Sequence, residues 1–164
     1  MVDSIAFLLY KQSVGRICRF IGTLFGVGYI PVAPGTAASV LFCVLYILVP
    51  AMQAHSHPYW LIPAIPICVW ICDRAQKDFK QKDPPQIVLD EWVGMAMALW
   101  GVEKIGPIFA AFVFFRFFDV VKMPMIRRLE GLPGGWGIVA DDLAAGCLAN
   151  LVVRLAFGLG FRFF

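Results

Sequence analysis

Asp90 and Glu91 stand side by side in Lys82-Asp-Pro-Pro-Gln-Ile-Val-Leu-Asp-Glu-Trp-Val-Gly94, where an apolar run begins that meets no basic residue before Lys104. Taking an unpaired carboxylate out of water is expensive, so two acids in such a place call for cations. Two later stretches bring more charge of the same kind. In Arg116-Phe-Phe-Asp-Val-Val-Lys122, the charged residues 116, 119 and 122 are spaced i, i+3, i+6 and share one helical face. Gly134-Gly-Trp-Gly-Ile-Val-Ala-Asp-Asp142 ends in a second acid pair. An oxygen-only set without histidine suits Mg²⁺, which works through one or two carboxylates together with substrate phosphate. Arg116 and Lys122 supply the charge to grip that phosphate, as a planar fork and as a point charge. The glycine turn 134–137 could add backbone N–H groups, and a helix starting near Asp141 a positive dipole end. Asp90, Glu91, Asp119 and Asp142 are therefore the candidate catalytic residues. With Asp141 they are also the candidate Mg²⁺ ligands. Adjacent acids on a helix point about 100° apart, so not all five can hold one ion.

The elements that must carry these residues are helices, since no alternating apolar pattern persists. Asp90, Gly94 and Ala98 form an i, i+4 row, and Asp142, Gly146, Asn150 and Arg154 form another. Small residues below an acidic head let two helices approach and bring the acids together. Apolar runs cover 37–49, 59–72, 87–100, 108–121 and 143–164, with Thr36 placed to cap the first and a Pro/Gly-containing loop over 123–140. Segment 1–30 reads as an amphipathic or partly inserted helix. Apolar residues make up 60 % of the 164 and charged residues 15 %, with a mean hydropathy of +0.78. Soluble domains carry about 45–50 % and about 25 %. The expectation is one domain over 1–164, an all-α, compact multi-helix integral membrane bundle, although the runs fall short of the roughly 20 residues of a straight span. A net charge of +3, with no basic stripe, argues against nucleic acid. Asp3, Lys11, Arg16 and Arg19 argue against a secretory signal, and five scattered cysteines against a disulfide framework.

Orientation follows from the basic residues. Lys11, Arg16, Arg19, Arg74, Lys77, Lys80, Lys82, Lys122, Arg127 and Arg128 fall on one side, Lys104 and Arg162 on the other. The first group marks the cytoplasmic side, and all three acidic stretches land there. An ion-coupled transporter would hold its acids nearer mid-membrane, and a non-catalytic assembly subunit needs no acid–base convergence. The pair His55-Ser-His57 lies in the opposite loop, without acid or cysteine company.

Four ordered blocks, PVAPGTAAS, KDPPQIVLDEWVG, FRFFDVVKMPMIRRL and GGWGIVADDLAAG, resemble the bacterial phosphatidylglycerophosphatase A family over about Gly28 to Arg154. The resemblance implies a Mg²⁺-dependent phosphatase of the bacterial inner membrane. It would convert phosphatidylglycerophosphate to phosphatidylglycerol and inorganic phosphate at the cytoplasmic face, with phospholipid as its partner. By position Asp90, Glu91, Asp119, Asp141 and Asp142 match the family's acids and Arg116 and Lys122 its basic residues, and Thr36 joins the phosphate-binding group. Gln86 departs from the pattern, standing where many relatives have an acid, which weakens any ligand role there. Ala38 replaces a usual glycine.

Overall fold

Gly94 and Gly146 are the points around which the chain packs. A methyl group on Gly146 would fall 2.2 Å from the Gly94 carbonyl oxygen, and one on Gly94 would fall 2.8 Å from that of Asp142. Only glycine lets the two helices that carry them come so close. The computed structural model describes residues 2–54, 58–81 and 83–158, and among these every regular element is helical. His55-Ser-His57, Lys82 and Arg162 lie outside the described residues.

The elements are α1 (Val2–Gly22), α2 (Pro34–Leu48), α3 (Pro50–Ala54), α4 (Leu61–Phe79), α5 (Leu89–Ala98), α6 (Ile105–Val121), α7 (Pro124–Arg127) and α8 (Trp136–Phe157). The short helix α5 lies at the centre, against α2, α4, α6 and above all α8. It runs parallel to α8 and in register with it: Gly94 meets Gly146, and Asn150 Nδ2 donates to the Ala98 carbonyl at 2.9 Å. The same amide donates to the Trp100 carbonyl at 2.8 Å, and Arg154 Nη2 donates there at 2.6 Å. Tyr46 adds a hydroxyl bond to the Val102 carbonyl at 2.9 Å. The last carbonyls of α5 and the turn after it are thus capped from α8 and α2, and Arg154 places a cation at that helix's negative end.

The other end of α5 is held through α1. Within the expected amphipathic or partly inserted segment over 1–30, α1 packs on α4, with Arg19 Nη1 3.0 Å from Asp78 Oδ2 and its guanidinium over the Phe79 ring. Phe25 and Gly26, at φ 56° and 105°, end the helical path. Gly28 then presses on the Gln86 backbone, and Val88 N–H donates to the Gly22 carbonyl at 2.9 Å. This fixes the loop from which Asp90 and Glu91 emerge.

Several boundaries differ from the sequence expectation. α2 starts at Pro34, whose missing N–H costs nothing at a first helical position. Thr36 therefore lies inside the first turn, and Ala33, at φ 49°, is the N-cap. α4 runs on to Phe79 through the charged segment and contains Pro66. The expected loop over 123–140 holds α7, a 3₁₀ turn over Leu129–Gly131 and the first turns of α8. α8 begins at Trp136, so Asp141 and Asp142 lie beyond its first turn. Gly135 has no room for a side chain, since a methyl there would fall 2.0 Å from the Val69 carbonyl oxygen. The glycine turn seats α8 on α4, and the amides of Gly137, Ile138 and Val139 bond to the carbonyls of Gly134 and Gly135. Of the turn's own amides, that of Gly137 is thereby taken up inside the turn.

Among the described residues no helix is long and apolar enough to cross a membrane. The multi-pass expectation thus has no single spanning helix to rest on. The surface is nonetheless apolar: Ile62, Ile105, Phe109, Phe117, Val120 and Leu155 are each more than half exposed.

Candidate active site

The α5–α8 crossing brings the acids together. One carboxylate oxygen each from Asp90, Glu91 and Asp142 lies within 4.8 Å of the other two. Asp90 and Asp142 are buried, and Glu91 is half-buried. Trp92 Nε1 donates to the Ala38 carbonyl at 3.1 Å, tying α5 to α2. One residue before Trp92, Glu91 abuts the first turn of α2: a methyl on Gly35 would fall 1.9 Å from its Oε1. With no side chain at position 35 the Glu91 carboxylate lies directly against that turn. The positive end of α2 therefore lies beside the acid.

Asp119, on α6, stands within electrostatic reach of Glu91 and Asp142. Its Oδ2 is 2.7 Å from Arg116 Nη1, one turn away on the same helix. Arg116 is held against the site yet not used up, because its buried Nε has no hydrogen-bond acceptor while Nη1 is engaged by Asp119. Asp90 Oδ1, Glu91 Oε2 and Asp142 Oδ2 are buried without a partner as well. Unpaired acceptors and an unpaired guanidinium donor in one site have a common explanation in a cation and an anion bound together.

The electrostatics agree. Burial, and then the charges of Glu91 and Asp142, push the Asp90 carboxyl well above its ordinary range. Burial, followed by Asp119 and Glu91, does the same to Asp142. Three carboxylates cannot all stay ionised this close unless a cation offsets their repulsion. The donors are hard oxygens, which suit Mg²⁺. Cys68 and Cys72 lie behind Leu89, with their sulfurs 3.8 Å apart and Cys68 directed at the Leu89 carbonyl.

Asp141 and Lys122 form a separate arrangement. Lys122, at the left-handed C-cap of α6, reaches both Glu130 and Asp141, the latter at 2.9 Å. Burial opposes the charge on Lys122, but the hydrogen bonds to Glu130 and Asp141 outweigh it and hold its pKa above the ordinary value. Burial lifts the Asp141 carboxyl while Lys122 acts against it. The direct contact makes an ion pair the better description. Of the residues singled out from sequence, the structure groups Asp90, Glu91, Asp142, Asp119 and Arg116. It places Thr36 in the α2 turn next to Gly35 and binds Lys122 to Asp141 and Glu130.

Sequence reasoning missed Glu130, Gly35 and the Asn150–Arg154 cap. Gly35 carried a signal, as a glycine between a proline and a threonine at a helix start. Glu130 carried none, being one acid in a polar loop.

Residues 20–157 match the family described as phosphatidylglycerophosphatase A. The chain belongs to that family. Phosphatidylglycerophosphatase A of Haemophilus influenzae is 34 % identical over 149 residues, covering 88 % of this chain and 91 % of the relative. The Escherichia coli protein of the same name is 31 % identical over 128 residues, 76 % of this chain and 74 % of the relative. A Bacteroides thetaiotaomicron protein provisionally named a phosphatidylinositol-3-phosphatase is 31 % identical over 145 residues, 83 % and 91 % of the two chains. No solved structure gives a significant match. As a member of this phosphatase family the chain is an enzyme. All the residues just grouped at the acidic site fall inside the matched segment.

Proposed function

We propose that the protein hydrolyses phosphatidylglycerophosphate to phosphatidylglycerol and inorganic phosphate, with Mg²⁺ bound by Asp90, Glu91 and Asp142, at the cytoplasmic face of the bacterial inner membrane. The observation that carries this reading is the cluster of buried, unpartnered carboxylate oxygens of Asp90, Glu91 and Asp142, with the unpartnered Nε of Arg116 within electrostatic reach of Glu91. When bound, Mg²⁺ would supply charge neutralisation on the phosphate and a more acidic water. Arg116 binds the phosphate through its free Nε side, with Asp119 fixing the guanidinium through Nη1. The first turn of α2, with Gly35 and Thr36, adds amide donors on the Glu91 side. A carboxylate oxygen of the cluster not engaged by the metal would accept the proton of the attacking water, and that proton would pass to the lipid oxygen released as the P–O bond breaks. Lys122, paired with Asp141 and Glu130, holds the end of α6 against α8.

The lipid substrate and the apolar surface support a place in the membrane, with the acidic end toward its cytoplasmic surface. The test is phosphate release by the purified protein in mixed micelles. Phosphatidylglycerophosphate and phosphatidylinositol 3-phosphate are offered in parallel, with Mg²⁺ or with a chelator. Mg²⁺-dependent release from the first, and slower release from the second, is the expected result. Release unaffected by chelation would remove the metal from the proposal, and a preference for the inositol lipid would replace the substrate.

A further inference from the structure

Below the site, α2 and α6 are separated by a groove of about 280 Å³ with a wholly apolar lining. On α2 it is lined by Val40, Cys43, Val44 and Ile47, and on α6 by Ile105, Ile108, Phe109 and Phe112. Continued upward at helical spacing, the α2 stripe reaches Thr36, four residues before Val40. The α6 stripe reaches Arg116, four residues after Phe112. One turn, about 6 Å on each helix, separates the top of the groove from the residues placed around the phosphate.

We propose that this groove receives an acyl chain of the lipid substrate while its phosphate lies at Arg116. The proposal rests on the phosphatase reading for the headgroup and adds a subsite for the tail. Continuity is the argument. A phosphate monoester lipid carries its charge at one end and its hydrocarbon at the other, and the two stripes present the same order over the same direction. The lining offers no polar group that would have to be desolvated without a partner. Nor does it offer anything for a polar ligand to recognise. Such a subsite makes the enzyme select lipid phosphates over soluble phosphate esters, because tail burial helps to hold the headgroup in place.

Cys43 lies in the groove and is half-buried, whereas Cys147, exposed on α8, lies outside it. Alkylation of these two thiols in the full-length protein, in a fixed detergent, therefore reports occupancy. The probe is dodecylphosphonate, which cannot be hydrolysed at its carbon–phosphorus bond, compared with butylphosphonate and dodecanol. Dodecylphosphonate is expected to slow Cys43 alkylation about tenfold, and the other two less than twofold, with Cys147 unchanged. The protection should vanish in Arg116→Ala. Equal protection by dodecanol would make the groove a site for any membrane lipid, and equal protection by butylphosphonate would make the effect a headgroup one. Either result overturns the proposal, as does no protection at Cys43. Should Cys43 prove unreactive, Val44→Cys supplies a more exposed reporter in the same lining. The readout involves no turnover, so failure to release phosphate from phosphatidylglycerophosphate would overturn the substrate reading separately.

Discussion

Asp119 and Arg116 show why charge alone does not define a role. Their side chains are 13 % and 18 % exposed and 2.7 Å apart, which would serve equally well as a structural pair. The unpaired Nε decides between the two readings. If pairing with Asp119 were the whole role, Arg116→Lys would keep the charge and change little, since pairs at this spacing contribute about 0.3–0.5 kcal/mol. If the fork grips phosphate, lysine replaces two directed donors by one point charge. Arg116→Lys should therefore lose about tenfold or more in kcat/KM, equivalent to about 1.4 kcal/mol, with little change in Tm. Activity within twofold, or a parallel fall in stability, would favour the structural role. At Asp90 and Asp142 the expectation is larger. Asp90→Asn and Asp142→Asn should each lower turnover by about 10²-fold or more. Each should also abolish the rise in Tm that Mg²⁺ gives the unaltered protein. The neutral amide removes repulsion, so metal-free stability should stay level or improve. A Mg²⁺-dependent Tm retained in both variants would move the metal elsewhere.

At the scale of elements, the crossing of α5 and α8 sets the distance between the acids. Gly146→Ala would drive a methyl into the Gly94 backbone, and overpacking of this kind costs about 1–3 kcal/mol. The expected result is a lower Tm together with lost activity, read by thermal unfolding and phosphate release. Asn150→Ala tests the far end, stripping the Ala98 and Trp100 carbonyls of an amide donor. Stability should fall by about 1–3 kcal/mol, the cost of leaving buried groups unpaired. Much of this was legible in the chain. The rows Asp90–Gly94–Ala98 and Asp142–Gly146–Asn150 pointed to a close helix crossing headed by acids, and the structure contains one. The helix starts were less legible. Pro34 and Gly134-Gly-Trp-Gly read as breakers, because proline and glycine look alike in sequence whether they interrupt a helix or begin one. Asp141 could not be told from Asp142 either. Only the rotation of α8 against α5 and α6 sends one to Lys122 and the other to Glu91.

For the whole molecule, Arg116 and Lys122 lie at the end that holds the acidic site, and α6 runs from Lys104 at the other end to Lys122 beside the site. Single cysteines placed at exposed Lys104 and Arg128 should report this in intact cells. The first should react with an impermeant reagent added outside, and the second only after the membrane is opened. Labelling of position 128 from outside would reverse the proposed orientation. The parallel pair α5 and α8 also restricts how the protein can change over generations. Eight positions separate the acid from the capped carbonyl on α5, eight separate the acid from the capping amide on α8, and the touching glycines halve both intervals. One inserted residue would turn everything beyond it by about 100° and advance it by about 1.5 Å, so an acid and its cap could no longer both find their partners. The chain length between Asp90 and Ala98, and between Asp142 and Asn150, should therefore be frozen in any functional descendant. A library of single-residue insertions selected for activity should be empty in both intervals.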